Sequence, residues 1–222
     1  MKRRTSLFTC LIAAAVLGLS PGLASAGEHL YRVTLTNVTP GQYLTPALVF
    51  SHHRKTMPFF ATGQPASADL EQLAEGGNTM PLLNTLVATG ALTDHVSVGG
   101  LIAPGESASV ELMAHERDRI GLGAMMLPTN DGFVAAFGLG LPKGHHRVSQ
   151  TLAAMDAGTE VNDESCTSIP GPPPCGGEPV SVAGGEGYVH VHGGIHGIGD
   201  LMPSGSDWRN PVARVTVERI RH

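Results

Sequence analysis

Two segments near the ends of the chain, YRVTLTNV (31–38) and PVARVTVERI (211–220), alternate apolar and polar residues with a period of two. In the first, Tyr31, Val33 and Leu35 oppose Arg32, Thr34 and Thr36; in the second, Ala213, Val215 and Val217 oppose Arg214, Thr216 and Glu218. That period puts each apolar set on one face of an extended strand and does not make a helical stripe. Across the chain, 29 glycines and 16 prolines in 222 residues break the sequence into short runs, as strands joined by turns require. PALVFSHH (46–53), SASVELMA (107–114), GLGAMMLP (121–128), GFVAAFGL (132–139), HRVSQTLAAM (146–155) and GYVHVH (187–192) read as further strands.

Two helical stretches interrupt this pattern. Ser67 is placed to cap ADLEQLAEGG, in which Leu70 and Leu73 share a face and Gly76-Gly77 ends the helix. MPLLNTLVATG (80–90) follows, with Leu82, Leu83, Leu86 and Val87 at helical spacing and Gly90 as its stop. The prediction is an all-β protein, an antiparallel eight-stranded sandwich with a short helical insert over 67–90, forming one domain over 27–222.

Residues 1–26 are read apart from that domain. Lys2, Arg3 and Arg4 precede an apolar run from Leu7 to Leu19, and Ala24-Ser25-Ala26 closes it. This is the pattern of a secretory signal peptide cleaved before Gly27. Cys10 lies too early in the apolar run to mark a lipid anchor. No later segment has the 18 or more consecutive apolar residues of a membrane span, so the expected product is exported, periplasmic or secreted. Three of the 14 Lys and Arg lie in the leader, which leaves 11 against 19 acidic residues, a formal net charge of −8. That balance, with no basic stripe along the sequence, argues against nucleic acid as a partner.

Cys166 and Cys175 flank TSIPGPPP. In an oxidising compartment an even pair of this kind reads as a local disulfide that closes the loop 166–175 and holds the Pro/Gly-rich region 169–187.

Two acidic turns carry the first candidate metal chemistry. LPTNDGFVA (127–135) puts Asn130 and Asp131 between two apolar strands, and MDAGTEVNDE (155–164) puts Asp156, Glu160, Asp163 and Glu164 just after another. Calcium takes six to eight oxygen ligands from carboxylates, carbonyls and water, which converging turns at a sandwich end can supply. Acidic residues also crowd turns for conformational reasons alone.

The order of LPTNDGFVA, AMDAGTEVNDE, GGEGYVHVHGGIHG and DWRNPVARVTVERI resembles that of bacterial spondin-domain proteins. These are relatives of the N-terminal spondin domain of animal F-spondin, and the likeness covers approximately residues 29–221. The resemblance implies an eight-stranded sandwich similar to the calcium- and membrane-binding domains of synaptotagmin, with one calcium ion near its loop end. In the animal domains the ligands come from a Ser-Pro-Asp-Trp turn and an Asp-Ala-Gly-Thr-Asp turn, which points here to Asp131, Asp156 and Glu160. Gly132 stands where the tryptophan would be, and Glu160 where the second aspartate would be. The implied role is a binding or adhesion module for extracellular matrix, glycan or envelope components, including lipid headgroups.

YVHVHGGIHGIG (188–199) offers a second candidate site. On a strand His190 and His192 point to one face, and His196 is able to return from the following turn as a third ligand. Imidazole suits zinc or copper far better than calcium, with Glu186 or Asp200 as a further ligand. The alternative is that these histidines pack in the sheet and hydrogen-bond to carbonyls or carboxylates. A His-Val-His strand also occurs in copper–zinc superoxide dismutases, but those need several more histidines downstream, and only His222 follows His196. The second functional reading is therefore a periplasmic copper or zinc protein, as a metal binder or an oxidoreductase. His52-His53 and His145-His146 read as surface pairs, and Trp208 as an edge-of-core anchor. No nucleophile elbow, H-E-x-x-H helix or phosphate-cradling glycine loop is present in the sequence.

Overall fold

The computed structural model describes residues 27–220; the expected leader over 1–26 lies outside the described residues. The elements in chain order are β1 (Glu28–Asn37), β2 (Tyr43–Leu44), β3 (Leu48–His52), α1 (Ala68–Gly76), α2 (Met80–Ala88), β4 (Leu92–Ser97), β5 (Ser107–His115), β6 (Arg119–Leu127), β7 (Gly132–Gly140), β8 (Arg147–Leu152), β9 (Met155–Asp156), β10 (His190–Val191), α3 (Pro203–Ser206) and β11 (Ala213–Arg219). Eight of the strands have five or more residues, and β2, β9 and β10 have two each.

The strands form two antiparallel sheets. One is four-stranded in the order β5-β1-β11-β8; the other runs β10-β9-β7-β6-β3-β4, with β2 added to β6. The two alternating segments of the sequence pair with each other, Val33 opposite Val217 and Leu35 opposite Val215. Their inward faces bury Tyr31, Val33, Leu35, Val215 and Val217 against Val49, Leu122, Ala124 and Val134 of the second sheet. Their outward faces stay polar, as with the Thr34–Ser109 and Thr36–Ser107 hydroxyl pairs and the Arg32–Glu111 ion pair.

The second sheet is covered on both faces, and this explains why its central strands do not alternate in sequence. Residues 48–52 are all buried, and 120–127 likewise. The side away from the first sheet packs Leu48, Phe50, Phe133 and Ala135 under Leu70, Leu73, Leu82 and Leu86 of the helical insert. A strand buried on both faces reads as a continuous apolar run. The insert forms where its local signals put it. Ser67 accepts the Leu70 N–H at 3.2 Å, and Gly77, at φ 65°, closes α1 with its N–H on the Leu73 carbonyl at 3.0 Å.

Three sequence expectations change. The strand read over 187–192 shrinks to His190–Val191, because glycines 184, 185 and 187 precede it and 193 and 194 follow it, and residue 192 bonds Ala154 outside the ladder. β4, LTDHVS, escapes pattern reading because it is polar and half-exposed at a sheet edge; its pairing with β3 makes it a strand. His52 is not a surface residue. It is 1% exposed, its ring stacks on Phe137 at 4.2 Å between centroids, and burial lowers its pKa. His53 is exposed, as expected. Trp208 lies in the main core, 4% exposed.

The Cys166–Cys175 disulfide is formed. Closing a loop this short is worth about 2–3 kcal/mol through the unfolded chain, and the bridge fits a non-reducing compartment. No helix among the described residues is long and apolar enough to cross a membrane.

Candidate metal centre

Asp156 is the hub of the loop end. In β9 it is registered opposite Gly132 of β7 on one side and His190 of β10 on the other. That register places the residue after Asp131, the acidic turn and the histidine segment side by side. The two candidate sites of the sequence are therefore neighbours in one place.

Asp131 ties the two acidic turns together. Its carbonyl accepts from Ala157 N at 3.2 Å, and its Oδ2 accepts from Thr159 N at 2.7 Å, Glu160 N at 3.1 Å and the Thr159 hydroxyl at 3.2 Å. Its other oxygen, Oδ1, is buried and has no hydrogen-bond partner. Asp156 is also fully buried; Oδ1 accepts from Gly158 N and Oδ2 from Asn162 Nδ2, both at 2.8 Å. Two backbone approaches hold the turn in place. A Cβ at Gly158, which has φ +68°, would lie 2.4 Å from the Tyr188 carbonyl oxygen, and one at Gly185 would lie 2.5 Å from the Gly158 carbonyl oxygen. Glycine at both positions lets the acidic turn lie directly on the segment that carries Glu186 and His190.

The histidines divide by tautomer. His190 Nδ1 lies 3.0 Å from the Val191 carbonyl, an acceptor only, so Nδ1 carries a proton. The Nε2 lone pair of neutral His190 then faces Glu186 Oε2 at 3.3 Å and Asp156 Oδ1 at 3.4 Å. A lone pair facing two carboxylates requires a cation or a proton between them. Donor atoms of Asp156, Glu186 and His190 all lie within 4.8 Å of one another. Ligand atoms about 3.3 Å apart are what a tetrahedral shell with bonds of about 2.0–2.1 Å gives. An imidazole that ligates through Nε2 while its Nδ1–H donates to a backbone carbonyl is also the usual arrangement at metal sites.

His192 is different. Its Nδ1 accepts from Gly194 N at 3.1 Å, which in the neutral ring leaves the proton on Nε2. Nε2 is buried without a hydrogen-bond partner, 3.9 Å from Asp156 Oδ2, and the ring meets Trp208 edge-on at 4.9 Å. Burial drives its pKa down to about 4. His192 is thus a neutral support behind Asp156.

The remaining candidates stand apart. Glu160 is buried and its Oε1 accepts from Val182 N at 2.7 Å. His196 is 63% exposed at its side chain, with Nδ1 3.8 Å from Glu164 Oε1. It is turned outward because Glu164, in a left-handed conformation at φ 56°, accepts the backbone N–H groups of residues 196, 197 and 198. Asp200 caps Cys166 N at 2.9 Å instead of joining the histidines.

The acids are short of positive charge. Burial, and then the neighbouring Asp156, push Asp131 up to about 6; burial, with Glu75 and Asp131 adding repulsion, pushes Glu160 up to about 8. Glu75, buried on α1, is raised by burial as well. It lies some 85 residues from Glu160 in the chain, so no local signal joins the two. Among the donors, Asn162 was open to sequence reading as part of EVNDE, but only its bond to Asp156 marks it.

A pH dependence follows. Between about pH 6.5 and 8, folded His52 and His192 are neutral and the unfolded chain loses the last of its charge on them, a small gain in stability confined to the lower end. Over the same window the folded state progressively loses the larger advantage of holding the Glu160 proton. His190, whose pKa is raised by its carbonyl and carboxylate partners against the effect of burial, works in the same direction. Metal-free protein is expected to lose thermal stability as pH rises through this window, with saturating divalent cation removing most of the loss. A flat melting temperature in chelator across pH 6.5–8 would mean that Glu160 is not held in its neutral form.

No protein-family model matches this chain, and no curated protein matches it. The cluster of buried Asp156, half-buried His190 and exposed Glu186 is able to hold a metal ion.

Proposed function

We propose that this protein is an exported β-sandwich binding module whose loop end is organised by one divalent cation. His190, Asp156 and Glu186 hold the ion. The ion is zinc or another metal that takes nitrogen and oxygen ligands together. The observation that carries this reading is the His190 tautomer: its Nδ1–H is committed to a backbone carbonyl while its Nε2 faces two carboxylates. Bound metal would supply the missing positive charge, tie the acidic turn to the 186–192 segment and stiffen a surface for an envelope or extracellular component. Export is supported by the N-terminal leader pattern and the disulfide.

A second reading is a calcium ion at the same end, held by Asp131, Asp156 and Glu160. It is favoured by the unpartnered Asp131 Oδ1 and by the uncompensated buried acids Glu75, Asp131 and Glu160. The resemblance to spondin domains supports it, and so does the carboxylate chemistry.

Calorimetric titration of chelator-treated protein with zinc and with calcium separates the two, alongside metal analysis of gently purified material. The expected result is one zinc per chain, with proton release on binding and loss of affinity as His190 becomes protonated. Binding of calcium in preference to zinc moves the function to the second reading. Binding of neither ion overturns both.

A further inference from the structure

At the end of the sandwich opposite the metal centre, the basic residues of an acidic protein are gathered into one trough. Arg54, Arg117, Arg119, Lys143 and Arg219 line a cleft of about 560 Å³, together with a single acid, Glu116. Ten Lys and Arg lie in residues 27–220, so this cleft holds half of them. Strands β6 and β7 link the two ends. Arg119 opens β6 at the cleft and Leu127 ends it at the acidic turn; β7 returns from Gly132 to Gly140. Nine residues of strand separate the sites by roughly 26 Å.

Neutralising partners do not account for the cluster. Arg54, Arg117 and Lys143 are exposed, and among the described residues none of the three pairs with a carboxylate or donates a side-chain hydrogen bond. Arg119 is braced on the Asp118 carbonyl at 2.9 Å, and Arg219 on His29 Nδ1 at 2.7 Å, which fixes two guanidinium groups in the floor. Glu116 is turned toward His29, 3.5 Å away. Cations held this close repel one another unless an anion lies among them. Arg219 also lines a second hollow of about 290 Å³, formed with His145, His146, Arg147 and Glu218, the last two of which pair with each other. Two hollows that share Arg219 suit a chain better than one compact anion.

We propose that this trough binds an acidic polysaccharide, whose sulfate or carboxylate groups are read by the arginines. Two features favour a glycan chain over other polyanions. None of the exposed large apolar residues lies along the cleft, so nothing there would enter a membrane. Among the described residues, Tyr31, 2% exposed, is the only Phe, Tyr or Trp that lines the cleft, so its floor offers no large aromatic face on which bases would stack.

The test uses the mature protein with dextran sulfate as probe, uncharged dextran as control, and Arg54→Ala/Arg117→Ala/Lys143→Ala as variant. Wild type is expected to bind the sulfated polymer only. The variant should bind at least about tenfold more weakly, with its log–log salt slope shallower by roughly two, at about 0.7 per cation removed. Its melting temperature should match wild type, because the three exposed side chains make no ion pair or side-chain hydrogen bond among the described residues. Arg214→Ala, on the outer face of β11, should leave affinity within about twofold of wild type. Binding should persist in chelator, so its outcome is separate from that of the metal centre. The proposal is overturned if dextran sulfate is not bound, if the triple variant binds it as wild type does, or if phosphatidylglycerol vesicles or single-stranded DNA bind the trough more tightly.

Discussion

Asp156→Asn is expected to lower zinc affinity at least about 100-fold and to bring the bound metal below a tenth of an ion per chain. Loss of supports behind a ligand already costs 10–100-fold, and Asp156 is the group on which the other donors converge: His190 Nε2 lies 3.4 Å from it, His192 Nε2 3.9 Å, and Asn162 at 2.8 Å. The substitution keeps the side-chain volume and removes a charge that raises the pKa of Asp131. Metal-free Asp156→Asn should therefore melt no lower than metal-free wild type at pH 8, while failing to gain stability when metal is added. Glu160→Gln is the companion variant. With zinc on His190, Asp156 and Glu186 it leaves affinity near wild type and flattens the stability loss between pH 6.5 and 8. With calcium on Asp131, Asp156 and Glu160 it weakens binding instead. Zinc retained at full stoichiometry by Asp156→Asn would remove Asp156 from the centre.

Gly158→Ala should be the most disruptive single-methyl change at this end of the molecule. The residue has φ +68°, where a side chain costs about 1–2 kcal/mol. The added carbon would also meet backbone, 2.4 Å from Tyr188 O and 2.8 Å from Tyr188 N, and crowding of that kind adds about 1–3 kcal/mol. A combined loss of about 2–5 kcal/mol corresponds to a fall in melting temperature on the order of 4–20 °C for a domain of this size. Metal affinity should fall with it, because the carbon pushes the acidic turn away from the strand that carries His190. Gly187→Ala is the control, with φ +80° but nothing within 4 Å of its added carbon. It should show the strain alone, about 1–2 kcal/mol, and keep metal binding. Equal effects from the two variants would mean that the close approach of residues 158 and 188 does not hold the centre together.

Local signals carried much of this structure into the sequence. The alternation in 31–38 and 211–220 needs only the two-residue period of a strand, and those segments pair as the sandwich requires. The helix after Ser67 and its end at Gly77 follow from a side-chain cap and a left-handed glycine, both contacts within a few residues. The bridge from Cys166 to Cys175 spans nine positions. Polar β4 and buried His52 were hidden, because what defines them is the strand or ring beside them and not their own composition.

The same division runs through the candidate site. Asp131, Asp156, His190 and Glu186 are visible as residue types suited to metals, yet on the sequence they belong to two sites of different chemistry. Ladder pairing brings Asp156 opposite His190 across 34 residues, and a backbone contact at Gly158 lays one segment on the other. Neither is encoded in any local period. Tautomers then separate His190 from His192, which strand spacing makes equivalent, because one Nδ1 faces a carbonyl and the other an amide N–H. The gathering of five scattered basic residues at the opposite end has the same origin. The sequence by itself determined the strand faces, the helical insert and the loop closure, since each depends on neighbours in the chain. Tertiary structure alone decided which acids meet which histidines and where the charge collects, since those depend on which strand lies beside which.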